Sequence, residues 1–222
     1  MSLVLSRRPL GRLLISFTGA LLAAAAIAGC GSSSGPSSSP AGTSSSPGSG
    51  GANVAGAAPP GAVPVESNPP GDIPDNVAYV AYQNAAARYG FSHPEGWART
   101  GQGNAVTFTD KLNGISATSA PATAAPTITS ARARDLPALT ASQNAFQLIS
   151  IKAAQLPAGA GVLIVYRRNS PPDPVTGKMF RDEVQRYEIF GAAHQVNLEL
   201  FGAVGSDNVD PYRRISQSLT LS

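Results

Sequence analysis

One cysteine constrains this chain more than any other residue. Cys30 is the only thiol in 222 residues, and it stands at the exit of an apolar run. That run, Leu13 to Ile27, is broken only by Ser16, Thr18 and Gly19. Arg7, Arg8 and Arg12 precede it, and the small residues Ala28 and Gly29 separate it from the cysteine. A basic start, an apolar middle and a small-residue exit are the three parts of a secretory leader. The apolar run is about 15 residues, short of the roughly 20 that a membrane-spanning helix needs. A cleaved leader is therefore expected, ending at Gly29. With Cys30 committed there, the folded part has no disulfide and no cysteine-based metal site. It must hold together through its core alone.

The stretch Ile27-Ala28-Gly29-Cys30, with its leader, resembles the signal of bacterial lipoproteins. That resemblance implies cleavage between Gly29 and Cys30 and a lipid on the Cys30 thiol, a diacylglycerol with palmitate-type chains. It implies a protein held by this lipid on the extracytoplasmic face of the cell membrane. Ser6-Arg7-Arg8 with Leu10 also resembles a twin-arginine signal, but Pro9 and Gly11 depart from it, and the general secretory route is expected.

Charge removes one class of function. The chain has 16 Lys plus Arg against 13 Asp plus Glu. Three of those arginines lie in the leader and no acid does, so the mature chain is formally neutral. The sequence pI near 9.2 is thus no sign of nucleic-acid or phospholipid affinity, and no nucleic-acid partner is expected.

From Gly31 to about Gly71 the chain is Ser, Gly, Pro and Ala, with almost no large apolar residue. Such a segment buries too little to offset its ordering entropy. The expected organisation is a leader over 1–29, a lipidated cysteine and disordered tether over 30–71, and a globular domain over 72–222. As a coil of about 40 residues the tether reaches on the order of 35 Å.

The domain, about 150 residues, is long enough for one real core. Weak alternation at Val77 to Tyr82, then Arg88 to His93, predicts two strands, the second ended by Pro94, with Trp97 as a core anchor. Val106 to Thr109 and Ile115 to Thr118 predict a hairpin turning at Asn113-Gly114. A helix is expected from about Ser130 to Leu136, stopped by Pro137. Phe146 to Ala153 alternates again. Val162 to Tyr166 is apolar on both phases, which predicts a central strand covered on both faces. Asn169 to Lys178 is a polar, proline-rich loop. Met179 to Phe190 and His194 to Phe201 form a long hairpin turning at Gly191. A last helix opens at Asp210-Pro211, with proline at its first position, and Leu219 to Leu221 is a terminal strand. This is an α+β pattern built on an antiparallel sheet.

Tyr89-Gly90-Phe91-Ser92-His93-Pro94-Glu95-Gly96-Trp97, Val106 to Asp110, the long hairpin and Asp207 to Leu219 together resemble the PsbP-like fold, known from photosystem II extrinsic proteins and actinobacterial lipoproteins. The resemblance implies an α/β/α sandwich around an antiparallel sheet. A photosynthetic role does not carry over, because one fold hosts unrelated functions.

Chemistry-bearing residues are sparse. Thr176-Gly177-Lys178 echoes a phosphate loop, but Pro172 stands where the first glycine is needed and Met179 where Ser or Thr is. It reads as a surface loop, and Asp173, Thr176 and Lys178 are its candidate partner contacts. His93 and His194 are the only histidines and fall in separate elements. No metal or cofactor is expected. Asp182, Glu183, Glu188 and Glu199 lie on the long hairpin, and a pair of them, Glu188 and Glu199 first, could serve a carboxylate-dependent hydrolase if they met in a cleft. With Arg167, Arg168, Arg181 and Arg186 nearby, cross-strand ion pairs are the plainer expectation. Tyr166, Tyr187, Phe190 and Phe201 could line a small-ligand groove, though such residues are more often core. Three functions follow in order: a non-catalytic binding or adaptor module for an envelope protein or wall component, a hydrolase, and a small-ligand carrier. Enzymatic activity is the less expected outcome.

Overall fold

Val196, Leu198 and Leu200 alternate with Gln195, Asn197 and Glu199. That period of two decides which way the middle of the fold faces. The structure is a computed structural model and describes residues 57–65 and 71–222. The leader, the Gly29–Cys30 cleavage point, the Cys30 lipid and most of the tether lie outside the described residues.

The strands are β1 (Tyr79–Asn84), β2 (Tyr89–Pro94), β3 (Ala98–Thr100), β4 (Ala105–Asp110), β5 (Asn113–Pro121), β6 (Gln147–Leu156), β7 (Gly159–Asn169), β8 (Arg181–Gly191), β9 (His194–Ala203) and β10 (Thr220–Leu221). Seven of them form one antiparallel sheet in the order β3-β4-β5-β9-β8-β7-β6, and β1-β2-β10 form a second, smaller one. The helical parts are α1 (Ile128–Ser130), a π turn (Ala131–Asp135), α2 (Leu136–Ser142) and α3 (Val209–Gln217). The fold is α+β, mostly antiparallel sheet with few helices.

The large sheet has two unlike faces. On the first, Val106, Phe108, Ile115, Ala117, Ile189 and the β9 trio pack against Tyr82, Tyr89 and Phe91 of the small sheet and Tyr212 and Ile215 of α3. Phe91 meets Phe108 edge to face at 5.9 Å, a favoured aromatic geometry. On the second face Val162, Ile164, Tyr166 and Val184 pack against Ala131 and Leu139 of the helical segment 128–142. Leu163 is buried on the opposite side of β7, so the strand apolar on both phases is covered on both faces, as its sequence predicted. It lies one place in from the edge rather than at the centre, because β6 pairs with its outer side.

Several local expectations change. The β4–β5 hairpin turns at Lys111-Leu112, since Asp110 pairs with Asn113. Lys111 takes the positive φ of 50°. Asn113 and Gly114 belong to β5. Gly114 is needed there for a different reason: a Cβ would lie 2.0 Å from the Phe201 ring that crosses it. The long hairpin turns not at Gly191 but at Ala192-Ala193, both at positive φ (49° and 61°), with Gly191 paired to His194. The helix does not stop at Pro137 but runs on to Ser142. Proline lacks an N–H and crowds the carbonyl four residues back. The chain widens into the π turn just before it, where the Leu136 N–H reaches the Ala131 carbonyl. Thr127 caps the start, its Oγ1 accepting from the Ser130 N–H at 3.1 Å while Ser130 Oγ accepts from the Thr127 N–H at 2.9 Å. In α3, Pro211 is the third helical residue, still within the turn whose N–H groups have no helical partner. Trp97 is only half-buried, and the tyrosines and phenylalanines of β1, β2 and β4 anchor the core instead.

The start of the domain is fastened by asparagines. Asn208 Oδ1 accepts from the Ile73 N–H at 2.8 Å, and both Asn208 and Asn113 donate to the Gly71 carbonyl. Farther back, Asn169 Oδ1 accepts from the Val63 N–H at 3.1 Å and its Nδ2 donates to the Gly61 carbonyl at 2.9 Å. Residues 57–65, within the stretch read as tether, thus meet the end of β7 through one buried side chain.

Candidate functional site

The second face of the large sheet gathers the chemistry. Strand alternation puts Arg168, Asp182, Arg186, Glu188, Asn197, Glu199 and Phe201 there. The helical segment covers only part of it, which leaves a hollow at each end.

Beneath the helix lies an ion network. Arg186 Nε donates to Glu188 Oε1 at 2.7 Å, and its Nη1 donates to Glu199 Oε1 at 2.6 Å. The Tyr166 hydroxyl donates to the same Glu199 oxygen at 3.2 Å. Glu188 is fully buried. Burial pushes its carboxyl above the usual carboxylate range; Arg186 opposes that, and the neighbouring Asp135 carboxyl adds to it. One oxygen of Glu188 and one of Asp135 are buried without a hydrogen-bond partner. The Arg186 guanidinium, in turn, is held well above its ordinary pKa by its two carboxylates, against the cost of burial. Glu188 and Glu199 therefore do come together, but they come together on an arginine. A general acid or base needs a carboxyl free to meet a substrate, and both have their nearest oxygen on Arg186.

At one end of this face a groove of about 370 Å³ lies between the sheet and the loop 170–180. Its floor is Thr107, Thr109 and Phe201, and its apolar wall is Leu112, Pro171, Pro172, Pro174 and Phe180. Arg168 and Asp182 meet at its base, Nε to Oδ2 at 3.8 Å, too long for a hydrogen bond. The guanidinium carbon of Arg168 sits 5.0 Å over the Phe201 ring, within cation–π range. Burial raises the Asp182 carboxyl to about 7, although Arg168 and Arg181 pull it down.

The loop over the groove is a built object. Asp173 Oδ1 accepts from the Val175 N–H, the Thr176 N–H and the Thr176 hydroxyl at 3.0, 2.7 and 2.9 Å. These donors hold its carboxyl below the usual range. Ser170 and Phe180 close the loop base backbone to backbone at 2.8 Å. Lys178 Nζ lies 4.7 Å from the Phe180 ring centre. Of the three loop residues singled out from the sequence, Asp173 and Lys178 line the groove, and Thr176 serves the Asp173 turn. At the opposite end of the same face a polar hollow of about 600 Å³ is lined by Thr118, Ser130, Arg134, Gln195 and Asn197.

The histidines do not meet. His93 is in the small sheet, its ring stacked 3.8 Å from Phe108 and its Nδ1–H donating to the Pro94 carbonyl at 2.8 Å. Burial lowers its pKa. His194 is at the start of β9 beside Ala192. Among the described residues no group of three His, Cys, Asp or Glu side chains is placed to hold a metal ion. No described helix is long and apolar enough to cross a membrane. Sequence reasoning passed over Arg168, Asp182 and Phe201 as a unit. The signal was present: all three sit at the same phase of neighbouring strands.

No protein-family model matches the chain, and the comparison with curated proteins finds no match. Among solved structures it is similar to the cyanobacterial PsbP of Synechocystis sp. PCC 6803, at TM-score 0.45 and 14% identity over 68% of this chain and 98% of that one. It is similar to the Saccharomyces cerevisiae Ran-binding protein Mog1p, at TM-score 0.41 and 6% identity over 66% of this chain and 96% of that one. A Bacteroides thetaiotaomicron protein is similar at TM-score 0.40 and 10% identity, over 64% of this chain and 48% of its own.

Proposed function

We propose that this chain is a non-catalytic binding module, lipid-anchored through Cys30 on the extracytoplasmic face of a cell membrane, and that its recognition site is the groove under the loop 170–180. One observation carries the choice of binding over catalysis. Arg186 holds both hairpin carboxylates at hydrogen-bond distance, while the groove beside them stands open with its loop already set. Preorganisation of this kind lowers the entropic cost of binding. The anchoring part rests on the leader and lipobox pattern. A tether on such an anchor raises the local concentration of the module around other anchored molecules, which suits an adaptor for an envelope protein or a wall component.

The test is crosslinking in intact cells with the tagged chain, beside Cys30→Ala and a loop variant, Asp173→Ala. A partner captured by the anchored chain and lost in the loop variant supports the reading. Unchanged membrane association of Cys30→Ala overturns the anchor, and capture indifferent to Asp173→Ala overturns the groove. A second reading, a small-ligand carrier, is favoured by the size and apolar wall of the groove, which fall in the range of small-molecule sites.

A further inference from the structure

The Arg168 guanidinium is only partly used. Its Nη1 donates to Gln143 Oε1 at 2.8 Å, which ties the end of α2 to β7. Its Nε is buried with no hydrogen-bond partner. Asp182 faces it but stops at 3.8 Å. The free edge of an arginine, Nε with Nη2, is the fork that takes a carboxylate through two parallel hydrogen bonds. The Phe201 ring fixes this fork in place. It lies flat across β5 because Gly114 has no side chain to lift it, and Arg168 stacks over it at 5.0 Å.

Around the fork the groove is of two kinds. Leu112, Phe180 and three prolines make a dry wall, while Lys111 and Lys178 stand at the rim. The other acid in the groove, Asp173, spends one oxygen on three donors of its own loop. A cationic ligand has little to gain here: Arg168 covers the Phe201 ring, and Lys178 lies 4.7 Å from the centre of the Phe180 ring. A neutral apolar ligand gains nothing from Arg168 and Lys111, cations that line the groove.

We infer that the groove binds a small amphipathic carboxylate, with the carboxylate at the Arg168 guanidinium where it lines the groove and the apolar body along Leu112, Phe180 and the proline wall. This rests on the groove being the recognition site. Asp182 makes such binding pH-dependent. Its carboxyl titrates near 7; protonated, it can donate to the ligand, and ionised, it repels it. The charged and titratable groups facing it are Arg168 on β7, Arg181 on β8 and Tyr212 on α3, with Lys111, Lys178 and Asp173 in the lining of the same groove. Binding therefore weakens as pH rises through 7.

The experiment is a titration of the full chain bearing Cys30→Ala, so that no acyl chain of its own competes, followed by amide shifts and by calorimetry. The probes are decanoate, decanol and decyltrimethylammonium. Decanoate is expected to shift the amides of β7, β8 and the 170–180 loop, and to bind at least tenfold more tightly at pH 6 than at pH 8. Arg168→Met is expected to weaken it tenfold or more. Asp182→Asn, which keeps the shape, is expected to bind decanoate with no pH dependence between 6 and 8. Equal binding of decanol or preference for the ammonium probe, with the shifts still in the groove, overturns the carboxylate and leaves the groove standing. A peptide ending in Leu that binds there when decanoate does not overturns the small ligand. No shift in the groove with any probe overturns the ligand class and, if crosslinking also spares the loop, the groove itself.

Discussion

Replacing Arg186 with Met tests whether the network beneath the helix is held by charge or by packing. Met keeps most of the aliphatic length and removes the guanidinium. Glu188 is fully buried and 2.7 Å from Arg186, and Glu199 is 2.6 Å away with a side chain only 14% exposed. Removing one partner of a buried pair leaves an uncompensated charge and costs about 3–5 kcal/mol. Here two carboxylates lose their partner, but Glu199 keeps the Tyr166 hydroxyl and some water. The expected loss at pH 7 is therefore about 4 kcal/mol, within that range, read from urea unfolding followed by circular dichroism. At roughly 2–4 °C per kcal/mol for a domain of this size, the melting temperature falls by about 8–16 °C. Two controls give the number its meaning. In a Glu188→Gln, Glu199→Gln background the same Arg186→Met change should cost little or nothing, since no carboxylate is stranded and the buried guanidinium has itself lost its counter-charges. The deficit of the single variant should also shrink as pH falls, starting above the usual carboxylate range, because burial already raises the Glu188 carboxyl and the loss of Arg186 raises it further. A loss under 1 kcal/mol at pH 7, or one that does not depend on the glutamates, would refute the charge argument. It would leave Glu188 and Glu199 open to be read as a hydrolase pair again.

Three further outcomes are expected. Asp182 has its folded pKa raised to about 7, so the folded state binds more protons than the unfolded one between about pH 4 and 7, and stability contributed by this group falls as pH rises through that window; Asp182→Asn should match the parent near pH 4 and exceed it by up to about 4 kcal/mol at pH 8, and a gain that does not grow with pH contradicts this. Ala192 and Ala193 hold positive φ at the β8–β9 turn, where Asn-Gly is the favoured pair; Asn-Gly at these positions should add about 1–2 kcal/mol by urea unfolding, and a destabilised hairpin would show the turn to be otherwise constrained. Asn208→Ala strands the Ile73 N–H and weakens the hold on the Gly71 carbonyl, at a cost of about 1–3 kcal/mol; faster hydrogen exchange at Ile73 is the direct readout, and unchanged protection there contradicts the staple.

The parts of this fold that were legible before the structure are those with a period. Val196, Leu198 and Leu200 at a spacing of two gave both the strand and its buried face, and the run Val162 to Tyr166, apolar on both phases, gave a strand covered on both sides. What stayed hidden is set by contacts across the chain. Asn113-Gly114 carries the composition of a hairpin turn, yet Gly114 is bare to admit a ring 87 positions later, and the turn falls on Lys111-Leu112, which carries no such mark. Ala192-Ala193 takes a backbone shape that alanine does not announce. Pro137 signalled the end of a helix because a break is the usual answer to a missing N–H, and a π turn is the rarer one. The candidate site shows the same division. Glu188, Glu199 and the arginines could be placed on one hairpin from sequence, but not that a single guanidinium would join the two acids. Register settles that: Arg186 sits directly across from Glu199 and two residues from Glu188 on the same face, so the three side chains have one place to meet. The same register sets Arg168 across from Asp182, on the face that carries Phe201, where its Nη1 finds Gln143 Oε1 and its Nε finds no hydrogen-bond partner. One face of one sheet thus holds an arginine that is fully answered and another that is not, and the second is the place where a ligand has something to add.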